Sequence, residues 1–273
     1  MGTAEFSFKR FAQLPFYREV NEHLVQLSGI HPGQRVVDLA CGVGTVTEMI
    51  LEKLKGAKDS AVIAVDSSPE ALQLAREALK KAKKDLVKFV QGSVEQVTQA
   101  IREKADAVFF CNAIHLIPDK NQIVSQVHNL LEKGGTFAFN TAFYDGAIPP
   151  ETEPFYRRWM LKAVRLLHRD YNLLPDRAPK VEARKPLTPE EYVELLERQG
   201  FVLKHREVSP VAMTVEGWCA ISQYEEFISG ALPGIPVEKG CRVLQEAVTQ
   251  TYEEMNLTSV PRNWLSMVAT RKS

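Results

Sequence analysis

Val36-Val37-Asp38-Leu39-Ala40-Cys41-Gly42-Val43-Gly44-Thr45 carries a short apolar run straight into two closely spaced glycines, and an amphipathic stretch follows from about Thr45. This predicts a buried strand, a tight loop and a helix. Gly42 and Gly44 allow a sharp turn and let a ligand approach the main chain where a Cβ would obstruct it. Units of this kind place their binding crevice at the carboxyl ends of parallel strands. The next apolar run, Ala61 to Asp66, ends in an acid 22 positions after Gly44. A carboxylate there is set to accept the ribose hydroxyls of an adenosine-containing cofactor. Dinucleotide fingerprints add a third glycine for close helix-strand packing and present a helix N-terminus to a pyrophosphate. Thr47 occupies that position here. Asp38, for its part, suits a ligand that carries an ammonium group.

Outward from this loop, short apolar runs alternate with longer amphipathic ones, the pattern of parallel strands covered by helices on both faces. Strands are expected at Arg35 to Ala40, Ala61 to Asp66, Val87 to Gln91, Ala107 to Cys111 and Thr136 to Asn140. A strand beginning at Phe201 and another over Trp264 to Thr270 would form an antiparallel pair at one sheet edge. The result is a doubly wound, Rossmann-like α/β fold with a seven-stranded, mostly parallel sheet. Ser68-Pro69-Glu70 opens one helix with a cap, a proline at the first helical position and a negative charge. Thr188 and Glu191 have capping-box spacing at the start of another, which closes at Gly200.

Residues 149–185 and 216–258 interrupt the alternation. Phe155, Trp159, Ala163 and Leu166 mark an amphipathic helix in the first, and Leu244, Val248, Thr251 and Met255 mark one in the second. The expected division is an N-terminal helical cover over 1–30, a cofactor-binding core over 31–148 continued by 186–215 and 259–273, and the two insertions as a lid.

Thirty-four basic and thirty-four acidic residues cancel in a chain of 273, so no net field favours nucleic acid. The four cysteines lie far apart, without metal-ligand spacing, and read as reduced thiols of a cytoplasmic protein with no metal. No apolar run is long enough to span a membrane.

On these residues the chain resembles the class I S-adenosylmethionine-dependent methyltransferases, particularly the small-molecule group that includes the quinone-biosynthesis C-methyltransferases. The likeness covers roughly residues 15–145, 186–215 and 260–272. The family's first motif, Asp/Glu-x-Gly-x-Gly-x-Gly, corresponds to Asp38, Ala40, Gly42 and Gly44, with alanine in place of the first glycine. The resemblance implies S-adenosyl-L-methionine as cofactor, held by Asp38, Ala40, Cys41, Gly42, Gly44, Asp66, Ser67, Gly92, Ser93 and Asn112. Ser93 stands where the family commonly has an acid for the adenine amino group. The segment around Asn112 matches the fourth motif, under the methionine part.

Methyl transfer requires acceptor, methyl and sulfur in line and water excluded. If the acceptor must lose a proton, His115, Tyr144, Asp145 and His168 are candidate bases. Tyr17, His115, Tyr144, Trp159, Trp218 and Tyr224 are candidate walls for a small acceptor of apolar or aromatic character. The residues leave open a homodimer, an NAD-dependent oxidoreductase built on the same strand-loop-helix unit, and a non-catalytic relative of the fold.

Overall fold

The computed structural model describes residues 8–80, 86–96, 101–176 and 186–272. Seven strands form one sheet: β1 (Arg35–Leu39), β2 (Ala61–Asp66), β3 (Val87–Gln91), β4 (Ala105–Cys111), β5 (Leu131–Thr141), β6 (Phe201–Met213) and β7 (Val260–Arg271). Their order is β3-β2-β1-β4-β5-β7-β6. β1 is parallel to both β2 and β4, while β7 is antiparallel to β5 and lies between it and β6. The chain winds outward from β1 in one direction and from β4 in the other. Their following loops therefore diverge and open a crevice at this switch point.

Side chains alternate across the strands, so each strand feeds two cores. Val37, Leu39, Val108 and Phe110 join one apolar cluster; Val36, Ala107 and Phe109 join the other. Helices α2 (Pro15–Leu27) and α3 (Thr45–Lys53) cover the second face through Leu24, Val25, Met49 and Ile50. Beyond α4 (Pro69–Ala78), helices α5 (Lys120–Leu130) and α7 (Pro189–Arg198) cover the first face through Ile123, Val127, Tyr192 and Leu196. The expected caps are present. Ser68 Oγ accepts from Ala71 N at 3.0 Å, and Thr188 and Glu191 exchange bonds of 3.1 and 2.8 Å in a capping box.

Two units make up the chain. The α/β unit contains described residues 15–147, 186–209 and 264–272; a helical unit contains 8–14, 148–176 and 210–263. The helices of the latter are α1 (Lys9–Ala12), α6 (Glu153–Tyr171), α8 (Val215–Ile221), α9 (Glu225–Ala231) and α10 (Val237–Glu254). Its core is aromatic: Trp159 lies 5.8 Å from Phe155 and 5.3 Å from Trp218, and donates its indole N–H to Leu244 O at 2.9 Å. The sequence groups residues 1–30 as one cover, whereas the structure assigns the chain from Pro15 onward to the α/β unit. Leu24 and Val25 of α2 are buried against Val36 and Ile50, which accounts for that assignment. Residues 177–185 of the first predicted insertion lie outside the described residues. No described helix is long and apolar enough to cross a membrane.

Candidate active site

β1 ends one residue before a left-handed turn. Ala40, Gly42 and Gly44 have φ of 53°, 53° and 87°. Cys41 N donates to Val65 O at 2.9 Å and Gly44 N to Cys41 O at 3.0 Å, fixing the loop against β2. The Cys41 side chain packs inward with Ala64 and Leu72. The two loop glycines do different work. A Cβ on Gly42 would meet nothing within 4 Å, so this backbone faces open space. A Cβ on Gly44 would lie 3.1 Å from Ala75 Cβ and 3.3 Å from Leu79 Cδ1, so Gly44 lets the loop close on α4.

Asp38, 1% exposed, accepts from Thr47 Oγ1 at 2.6 Å. Burial pushes its pKa up to about 7; the Thr47 bond opposes that rise and the charge of Asp66 adds to it. Thr47, at the position of the missing third glycine, is thus the partner of the loop's buried acid. Asp66 accepts from Gly42 N at 2.8 Å through Oδ2 and from Ser68 N at 2.9 Å through Oδ1. Each oxygen keeps lone-pair capacity for a further donor. Ser67 beside it is exposed. Gly92 N donates to Asp66 O at 3.0 Å, which draws Gly92 and Ser93 alongside.

After β4 the chain makes a second left-handed step at Asn112, φ 48°. Asn112 N donates to both the backbone oxygen and Oδ1 of Asn140, each at 2.9 Å. Asn140 Nδ2 donates to Asn21 Oδ1 at 2.9 Å, and Asn21 Nδ2 to Tyr17 O at 2.7 Å. Asn112 Oδ1 accepts from Ala142 N at 3.1 Å. Its Nδ2 is buried and has no hydrogen-bond partner among the described residues. A buried amide donor left unmatched is costly, and an oxygen of a ligand or a water beside it would satisfy it.

His115 Nδ1 lies 3.0 Å from Thr141 Oγ1, and its ring rests on Phe143 with centroids 4.4 Å apart. Tyr17 is buried in α2 with its ring edge against Trp264 at 6.2 Å. Burial first, then the charges of Cys111 and Asp38, raise its pKa well above the usual phenol range. Tyr144 is also buried, against Gly146.

The structure therefore gathers Asp38, Ala40, Gly42, Asp66, Gly92, Ser93, Asn112 and His115 at or next to the carboxyl ends of the strands. Trp159, Trp218, Tyr224 and His168 belong to the helical unit. Trp159 and Trp218 form its core, Tyr224 packs edge-on against Phe8 at 5.2 Å, and His168 is exposed on α6. Sequence reasoning did not single out Asn21, Asn140 or Thr141 as site residues. Asn140 carried the one available signal, a polar residue closing an apolar strand. Among the described residues no group of three or more His, Cys, Asp or Glu side chains is arranged to hold a metal.

The methyltransferase-domain family matches residues 30–200, the whole strand-loop-strand region just described. The chain belongs to the methyltransferase-domain family. An uncharacterized methyltransferase of Synechocystis is 35% identical over 132 residues, 48% of this chain and 53% of that protein. A sterol 24-C-methyltransferase of Aspergillus fumigatus is 29% identical over 141 residues, 50% of this chain and 36% of that protein. The chain thus spans about half or less of the length of these two methyltransferases. Haemonchus contortus phosphoethanolamine N-methyltransferase 2, solved in complex with S-adenosyl-L-methionine, shares the fold with a TM-score of 0.59. It is 17% identical and aligns over 100% of this chain and 58% of its own. Membership in a methyltransferase family sets aside the dinucleotide reading. The residues also fit S-adenosylmethionine: a side-chain-free face at Gly42, an anchored carboxylate at Asp66, a buried acid at Asp38 and the unmatched amide donor of Asn112.

Proposed function

We propose that this methyltransferase moves the methyl group of S-adenosylmethionine to a small, largely apolar acceptor. The observation that carries this reading is the convergence, at the switch point of the sheet, of the open Gly42 backbone, the Asp66 carboxylate and the unpartnered Asn112 amide. When bound, the cofactor supplies a methyl group activated by a sulfonium for in-line displacement. The protein's own task is placement. Asp66 would accept the ribose hydroxyls, with Ser67, Gly92 and Ser93 beside it on the adenosine side. Asn112 would donate to an oxygen of the methionine part, and Asp38 would balance its ammonium group. A cation near Asp38 favours the ionised carboxyl, so binding should strengthen as pH rises through about 7. His115, steadied by Thr141 and Phe143, would take a proton from an acceptor that has one to lose. The sterol acceptor named for one relative supports an apolar substrate.

Calorimetric titration with S-adenosylmethionine and, separately, with NAD tests the reading. It predicts binding of the former and none of the latter, with loss of binding in Asp66→Ala. NAD binding without S-adenosylmethionine binding would refute it. Turnover with an apolar acceptor library, read by mass spectrometry, then tests catalysis, and His115→Ala should lower kcat while leaving cofactor affinity unchanged.

A further inference from the structure

We infer that Asn21 and Asn140 are positioning residues that aim the Asn112 amide at its ligand, an inference that rests on the cofactor reading above. The amides of Asn21 and Asn140 lie in series and end on the backbone N–H of Asn112, and such a series has a direction. The Tyr17 carbonyl can only accept, so it turns Nδ2 of Asn21 toward itself and leaves Oδ1 for Asn140. That in turn directs Nδ2 of Asn140 to Asn21 and Oδ1 to the Asn112 N–H, which can only donate. The Ala142 N–H then claims Oδ1 of Asn112, so the amide's remaining face is its NH2 group. Asn21 and Asn140 are fully buried, and the bonds on the Asn112 N–H hold its left-handed backbone in place. Helix α2, which the sequence presented as a cover, thereby helps fix the backbone from which the Asn112 amide projects, while Ala142 sets which end of that amide is left for the ligand.

Asn140→Asp separates this role from packing because it preserves volume. When ionised, the introduced carboxyl sets an acceptor against Asn21 Oδ1 and breaks one link. When protonated, it donates to Asn21 and still accepts from Asn112, so the series is restored. Burial raises the pKa of such a group. Tyr17 and Cys111, neighbouring titratable groups, hold their protons across the range used; Asp38 titrates near its upper part, and His115, bonded to Thr141 beside Asn140, is a further titratable neighbour.

The test is calorimetry of the whole chain with S-adenosylhomocysteine, for wild type, Asn140→Asp, Asn112→Gly and the double variant. Asn140→Asp should bind about 10-fold or more weakly near pH 8 and recover to within about threefold near pH 5.5. Wild type should trend the other way. The double variant should bind no more weakly than Asn112→Gly alone, because the two act as one. Wild-type binding with an unchanged Asn140→Asp, or additive losses in the double variant, overturns the positioning role alone. Failure of wild type to bind overturns the cofactor reading and this inference with it. If Asn140→Asp does not fold near pH 8, Asn21→Ala takes its place in the same cycle, and unchanged affinity there overturns the role.

Discussion

A carboxyl group at 1% exposure, bonded to one hydroxyl and near a second acid, holds its proton up to about pH 7. The ordinary pKa of an aspartate is about 3.9 in an unfolded chain. Between these values the folded protein keeps a proton that the unfolded chain has released. Asp38 therefore makes folding less favourable as pH rises from about 4 to about 7, by a few kcal/mol in all, with no further loss above. Chemical denaturation at several pH values, wild type against Asp38→Asn, should show that slope disappear. Thr47→Val should extend the window upward by removing the bond that opposes the shift. The loop glycines make a matched pair of tests. Gly42→Ala should cost about 1 kcal/mol for its left-handed backbone and weaken cofactor binding about 10-fold, since the new methyl enters open space. Gly44→Ala should do the reverse, costing roughly 2–3 kcal/mol against Ala75 and Leu79 with little effect on the affinity of the folded fraction. Spacing alone could not separate these glycines, because what each Cβ would meet is set by α4.

Helix starts were the most legible features of the chain because a cap is a local event. Thr188 and Glu191 are three residues apart, and both bonds of the box form. Thr188→Ala should lower stability by about 1–2 kcal/mol, measured as a shift in denaturant midpoint with unchanged slope. Glu191→Ala should cost less, since the Thr188 cap survives it. Strand ends were less legible. β5 begins at Leu131 rather than Thr136 because Leu131 pairs with Ala105 ahead of an irregularity in β4. Glu132-Lys133-Gly134-Gly135 reads locally as a turn, and nothing nearby in sequence reveals that pairing. The pairing of the asparagines was illegible for a related reason: Asn140 stands out as a polar strand end, but it meets partners 28 and 119 positions away, and single buried amides leave no periodic trace.

At the scale of the molecule, the alternation of apolar and amphipathic runs was enough for the sheet, since each βα unit declares itself within about 30 residues. The helical unit was harder. It is assembled from separate stretches, so its insertions were visible as interruptions while the role of their aromatics was not. An aromatic stripe at helical spacing serves equally well as pocket wall or as core. In the structure Trp159 is 1% exposed, packed among Phe155, Trp218 and Phe227, with its N–H on Leu244 O. A core role makes a definite prediction. Trp159→Ala should destabilise the helical unit by about 3–5 kcal/mol through cavity and lost packing, and Trp159→Phe by less, although the indole bond to Leu244 O is lost in both. Every residue proposed to hold the cofactor belongs to the α/β unit. Calorimetric affinity for S-adenosylhomocysteine should therefore stay within about twofold of wild type in both variants under conditions where they are folded. Hydrogen exchange should show faster amides in α6 and α10 and unchanged protection in β1 and β4. Loss of cofactor affinity with native-like stability would instead make Trp159 part of the site.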